Sequence, residues 1–233
     1  MRRVALVHGW GGSYAATWQA DGWDAALRRA GFEPVGVEIA GHGPQGGSHQ
    51  SADYADLASD LAAKLPAGLH GAIGFSLGTK LLLELEARQP GTNGRLVLGG
   101  IGDNLFAPET AGPAIVAALR GATSHPPSQV AALLAYAAKS GSDPACLAAV
   151  LERPANPILT EARLAAAQAP ILIFNSRDDA VAQPDDRLRA ALPRALHRRI
   201  DGPDHVHLTA DARFCDAAIA FLTEPHREEK THV

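Results

Sequence analysis

Cysteine, methionine and aromatic residues are scarce in this chain of 233 residues: two Cys, one Met, and 5% Phe, Trp and Tyr. Cys146 and Cys215 lie far apart in sequence, which argues against a disulfide framework and makes the reducing cytoplasm the expected location. No apolar run approaches the roughly 18 residues needed to cross a bilayer. The run nearest the N-terminus, Val4–Val7, is too short for a signal peptide's apolar region. There is no excess of basic charge either. The 21 basic and 25 acidic residues give a net charge of −4, and the chain lacks the basic stripe that a dedicated nucleic-acid binder needs. Hydrophobic residues at 46% and charged residues at 20% are ordinary globular composition, which excludes a disordered, coiled-coil or collagen-like chain. The length suits one domain with an insertion.

Short apolar runs alternate with longer amphipathic stretches. Val4–Val7, Glu33–Ile39, Gly71–Phe75, Arg95–Gly99, Pro170–Asn175 and Ala195–Ile200 read as strands. Trp18–Ala30, Asp53–Leu65, Leu77–Gln89, Pro184–Leu192 and Asp211–Leu222 read as helices, and Pro90-Gly91 terminates the third of them. Such alternation implies right-handed crossovers and an α/β fold, with a mostly parallel sheet of about six strands carrying helices on both faces. The rhythm breaks over residues 104–168, where Ala-rich helical segments are separated by Pro126-Pro127, Pro144, Pro154 and Pro157. This stretch is expected to be a helical insertion, leaving 1–103 and 169–233 as the core. The charged tail after Pro225 has no packing pattern.

Gly74-Phe75-Ser76-Leu77-Gly78 stands between a predicted strand and a predicted helix. That is the context in which G-x-S-x-G carries chemistry. A serine at so sharp a turn takes a strained backbone, and its neighbours must lack bulk. Its hydroxyl then projects from the sheet's C-terminal edge, where the following helix points its free N–H groups. Serine needs a base to take its proton, and the base needs an orienting carboxylate. In an open parallel sheet these groups come from loops at the strands' C-terminal ends. The loop after Pro170–Asn175 offers Asp178 and Asp179, and the loop after Ala195–Ile200 offers His205 and His207. The same residues with Asp204 match no specific metal motif, so neither a metal nor another cofactor is expected.

Taken together, His8-Gly9-Trp10-Gly11-Gly12, Gly41-His42-Gly43, the Gly74–Gly78 turn and the acid and histidine loops resemble the α/β-hydrolase superfamily, from Val4 to about Leu222. The resemblance implies a triad of Ser76, Asp179 and His205. Asp179, with Val181 and Pro184 after it, fits the family's acid loop better than Asp178, which is left to cap a turn. His205 matches the family's histidine, although Asp204 stands where a glycine is usual. The resemblance also implies an oxyanion hole made by the N–H groups of Trp10 and Leu77, with His8 bracing the Trp10 loop and the Gly41–Gly43 turn as support. The antiparallel strands that often open this fold are expected to be absent or very short.

A serine at position 76 argues against the epoxide hydrolase and haloalkane dehalogenase branches, which place Asp there. The expected reaction is hydrolysis of a small-molecule carboxylic ester, with short acyl chains suggested by the small Ala-rich cap. Leu105, Phe106 and Tyr136 are the candidate lining residues from the insertion, with Trp10 and Phe75 as walls beside the serine. A thioesterase or a carbon–carbon bond hydrolase would use the same triad. An acyltransferase or an inert binding member of the fold are the remaining readings. His125, His197, His226 and His232 are expected at the surface.

Overall fold

The computed structural model describes residues 1–107, 111–154 and 159–225. Pro157, His226 and His232 lie outside the described residues. Six strands form one sheet: β1 (Arg2–Val7), β2 (Phe32–Val37), β3 (Gly71–Phe75), β4 (Arg95–Gly99), β5 (Ile171–Ser176) and β6 (Leu196–Ile200). Their spatial order is β2-β1-β3-β4-β5-β6, and every neighbouring pair is parallel. The chain steps from β1 to β2 on one side, then returns to lay β3 against the other side of β1. Such a reversal, here between β1 and β3, marks the strand ends at which an open parallel sheet usually places its ligand site. The register pairs Val7 with Gly74, so the loops after the two strands emerge side by side.

The central strands are buried end to end, as a sheet covered on both faces requires. On one face Trp18, Trp23, Phe32, Phe174 and Phe214 form an aromatic cluster, with Trp18 and Trp23 meeting edge to face at 4.9 Å. On the other, Leu57, Leu61, Leu81, Leu82 and Leu85 pack two helices, α2 (Leu57–Lys64) and α3 (Leu77–Arg88), over the sheet. Most of the buried aromatics are thus concentrated in one layer, and aliphatic side chains dominate the other.

The expected helix over 18–30 is divided. A π-helical turn covers Tyr14–Gln19, and α1 begins only at Trp23 and runs to Arg29. The division falls at Gly22, whose φ of 80° cannot continue a right-handed helix. The turn begins earlier than expected because the Ser13 hydroxyl accepts the Ala16 N–H. The expected helix over 53–65 is likewise divided, into a short 3-10 turn at Ser51–Tyr54 and α2, whose start is capped by Asp56 accepting the Ser59 N–H.

Between β4 and β5 the described residues form helices and no strand: α4 (Gly112–Leu119), α5 (Ser128–Ala138), α6 (Pro144–Leu151) and the short α7 (Glu161–Leu164). Two of the prolines that punctuate this stretch stand at helix starts. Pro127 precedes α5, and Pro144 is the first residue of α6, where its missing N–H costs nothing. Beyond β5, α8 (Asp186–Ala191) leads to β6, and α9 (Ala212–Thr223) closes the described chain. No helix among the described residues is long and apolar enough to span a membrane, and both cysteines are free thiols. His125 is exposed as expected, but His197 is half-buried, with both ring nitrogens enclosed and unpartnered.

Candidate active site

Ser76 follows β3 directly and precedes the first residue of α3. Among the described residues it is the one non-glycine with positive φ, at φ 51° and ψ −111°. Such a conformation costs on the order of 1–3 kcal/mol and persists only where its surroundings enforce it. Here the Ser76 N–H donates to the Gly99 carbonyl (2.9 Å). The turn also presses α3 against β1 so closely that a Cβ on Gly78 would lie 2.3 Å from the Val7 carbonyl oxygen. Only glycine fits there, which is the physical content of the G-x-S-x-G spacing.

The Ser76 hydroxyl lies 2.9 Å from His205 Nε2, and His205 Nδ1 lies 2.8 Å from Asp179 Oδ2. Asp179 is wholly buried. Its other oxygen accepts the N–H groups of Val181 (2.9 Å) and Ala182 (3.0 Å), so the carboxylate has one orientation. The imidazole is itself nearly buried and packs on the Phe75 ring, with centroids 4.9 Å apart. An imidazole held in this way is oriented to accept a proton from the serine and to keep the resulting charge beside a carboxylate.

The neighbouring candidates fall outside this chain of hydrogen bonds. Asp178 turns away and accepts the Gly202 N–H (2.6 Å), tying the acid loop to the histidine loop. His207 is exposed and pairs with Asp204 (2.6 Å). The residue that replaces the usual glycine proves compatible with the turn. Asp204 has φ −73°, which any residue adopts, and its carboxylate accepts the His207 N–H to cap the 3-10 turn His205–Ala210.

The Gly9–Gly12 turn closes through a Gly12 N–H bond to the Gly9 carbonyl (3.0 Å). A Cβ at Gly9 would fall 2.9 Å from the Phe75 ring and 3.1 Å from Ser76 Cβ, so this loop lies against the serine. Trp10 follows Gly9 within the turn, and its indole N–H donates to the Leu147 carbonyl of α6 (3.3 Å). Leu77 occupies the first turn of α3, where helix N–H groups have no intrahelical acceptor. His8 is fully buried beneath the loop. Its Nδ1 lies 2.8 Å from the Gly9 carbonyl, and its Nε2 lies 3.2 Å from the Ile39 N–H and 3.0 Å from Glu38 Oε2. Tyr14's N–H donates to Glu38 Oε1 (2.9 Å), which binds the next turn to the same carboxylate.

Of the candidate lining residues, Phe75 is only 1% exposed and supports His205 from below. Tyr136 of α5 stands 6.4 Å from Phe75, ring to ring, and its hydroxyl meets Thr17 Oγ1 at 2.6 Å. Leu105 and Phe106 lie on the 3-10 turn after β4, and the Phe106 ring is covered by the Arg187 guanidinium of α8 at 4.9 Å. A groove of about 670 Å³ opens elsewhere, between α7 and α8 along Leu164, Ala167, Ala191, Leu192 and Arg194, and includes none of these residues.

Gly100 was not singled out from the sequence. A Cβ there would fall 2.8 Å from Phe75 and 3.1 Å from His205 Cε1, so its absence lets the imidazole settle. The signal was the Gly99-Gly100 pair at the C-terminal end of β4. Thr17 left no signal, since its partner lies 119 positions away.

Residues 4–217 match the model of the alpha/beta hydrolase family. No curated protein matches the chain. Among solved structures, a carboxylesterase of the thaumarchaeon Nitrososphaera gargenis superposes with a TM-score of 0.70 at 17% identity, over 95% of this chain and 89% of that one. An esterase from Exiguobacterium antarcticum gives 0.70 at 17% identity, over 96% and 92%. NosK from Streptomyces actuosus gives 0.61 at 26% identity, over 94% and 96%. With its family match, sheet and strand-to-helix serine in agreement, the chain belongs to the alpha/beta hydrolase family.

Proposed function

We propose that the protein is a serine hydrolase that cleaves carboxylic esters of small molecules with short acyl groups, through an acyl-enzyme. The observation that carries this reading is the unbroken chain of hydrogen bonds from Ser76 through His205 to Asp179.

In the proposed reaction His205 Nε2 takes the hydroxyl proton as Ser76 Oγ bonds to the ester carbonyl carbon. Asp179 stabilises the imidazolium. The negative charge on the former carbonyl oxygen is held by the N–H groups of Trp10 and Leu77, and removing one such donor typically costs about 100-fold or more in rate. The tetrahedral intermediate collapses, the carbon–oxygen bond to the alcohol breaks, and the alcohol leaves with the proton from His205. Water then attacks the acyl-enzyme. His205 takes a proton from it and returns one to Ser76 as the carboxylic acid departs.

Residues 104–168 serve as the cap in this reading, and two contacts support that role. Ala137 of α5 lies where a Cβ on Gly11 would meet it at 2.8 Å, and α6 receives the Trp10 indole. Trp10, Phe106 and Tyr136 are each only 9% exposed, and Leu105 is 5% exposed. So little open surface favours a short acyl chain, with Trp10 and Tyr136 as the walls beside the serine.

The deciding experiment is a panel of p-nitrophenyl esters graded by acyl length, together with labelling by a serine-directed phosphonate. The expected result is a maximum at short chains, with both hydrolysis and labelling lost in Ser76→Ala. Substantial hydrolysis by folded Ser76→Ala would overturn the assignment. A thioester panel run beside it separates thioesterase activity from the proposed one.

A further inference from the structure

Outside the serine site, three side chains with metal-ligating atoms converge where the loop over 43–50 meets the start of α6. His49 Nε2, a carboxylate oxygen of Asp143 and Cys146 Sγ all lie within 4.8 Å of one another. We propose that these three residues form a binding site for one divalent cation of the zinc class.

The chemistry of the set selects the ion. A thiolate, an imidazole and a carboxylate together favour a borderline-soft cation over magnesium or calcium, which take oxygen ligands. Zinc bonds of about 2.3 Å to sulfur and about 2.0–2.2 Å to nitrogen and oxygen place tetrahedral ligands roughly 3.3–3.7 Å apart. His49 Nε2 and Asp143 Oδ2 are now 2.8 Å apart and the full set spans at most 4.8 Å, so that spacing falls within the observed range. Rotation of two partly exposed side chains would reach it. Three protein ligands leave the fourth position to water, which arrives from the solvent side, where the His49 side chain is 59% exposed and that of Asp143 is 42% exposed. Cys146 forms the buried floor.

The two segments are held together without the ion. The Gly43 N–H donates to Ser142 Oγ (2.8 Å), and Ser142 Oγ pairs with Ser140 Oγ (2.7 Å). The Tyr54 hydroxyl donates to the Ser48 carbonyl (2.6 Å). Burial first, and the Asp143 carboxylate second, push the Cys146 thiol up, so a bound ion has to displace its proton, with the Gly47 N–H and Tyr54 favouring the resulting thiolate. Asp143 already spends Oδ1 on the Ala145 N–H (2.8 Å), which leaves Oδ2 facing His49. The start of a helix repels a cation, but two anionic ligands there reverse that balance.

The site shares no residue with the Ser76 machinery, yet α6 joins them, because Leu147 directly follows Cys146 and its carbonyl receives the Trp10 indole. A bound ion would fasten α6 to the 43–50 loop and stiffen the support of Trp10.

The test is calorimetric titration of the chelator-treated full-length protein with zinc chloride, with thermal melts and cobalt(II) absorption in parallel. One equivalent should bind, raise the melting temperature and, with cobalt, give a thiolate-to-metal charge-transfer band. His49→Ala and Cys146→Ser should each weaken binding at least tenfold, and Cys146→Ser should remove the band. Absence of both heat and band, or unchanged affinity in His49→Ala, would overturn the proposal. Since His49 is exposed, that variant keeps the test decisive even where Cys146→Ser fails to fold.

Discussion

The hydroxyl of Tyr136 in α5 lies 2.6 Å from Thr17 Oγ1 in the π-helical turn that follows the Gly9–Gly12 loop, and both residues are buried. A Cβ on Gly12 would fall 2.5 Å from the same hydroxyl. The helical segment between β4 and β5 is therefore latched to the turn that presents Trp10. Tyr136→Phe removes the latch and leaves Thr17 with a buried unpaired hydroxyl, which should lower stability by about 1–3 kcal/mol in urea melts. In steady-state ester kinetics kcat should fall more than KM changes, because in the proposed reaction the loop positions a donor for the transition state.

Exchange of each adjacent aspartate for its amide distinguishes their roles. Asp179→Asn removes the charge beside the imidazole and should lower kcat by about 10⁴-fold with little change in KM. Asp178→Asn weakens only the bond from the Gly202 N–H and should leave kcat within a few-fold of wild type, with stability reduced by about 1 kcal/mol or less. Parallel kinetics on the two purified variants check both outcomes.

Ser76 holds a backbone conformation that glycine adopts at far lower cost. Both Ser76→Ala and Ser76→Gly should be inactive, but Ser76→Gly should be the more stable by about 1 kcal/mol, the strain released less the added entropy of the unfolded chain. Chemical denaturation of the two variants side by side measures the difference.

Acid sensitivity should trace in part to His42. Burial first, and the nearby His8 second, push its imidazole down to about 3. In the unfolded chain it titrates at about 6.5. Between these values the unfolded state holds a proton that the native state refuses. The stability contributed by neutral His42 is thus fully present above about pH 6.5, and it declines toward pH 3 by up to about 1.4 kcal/mol per pH unit. Urea midpoints at neutral and mildly acid pH should show a shallower decline in His42→Gln than in wild type.

The sheet was legible because its central strands are short apolar runs between turn residues, and all six strands fall within a residue or two of the expected positions. The serine turn was legible because Gly74 and Gly78 record a steric demand that no other residue meets. The break at Gly22 was hidden, because Trp18, Trp23 and Leu27 share one buried layer whether or not one helix carries them. Phe75 was read as a wall beside the serine, whereas its ring is buried beneath the imidazole and stands under the site. Local sequence does not record where β3 and the histidine loop meet. The convergence of His49 with Asp143 and Cys146 joins two loops about a hundred residues apart and left no spacing signature.

The placement of residues 104–168 divides the proposed reacting groups by chain position: Ser76 comes before that segment, and Asp179 and His205 come after it, with the serine and the imidazole 129 positions apart. Neither half of the polypeptide holds a complete hydrogen-bonded set. Two complementary fragments cut within the segment would each be inert, and turnover would return only on their reunion. The hydrolase could thus report the reassociation of its own halves.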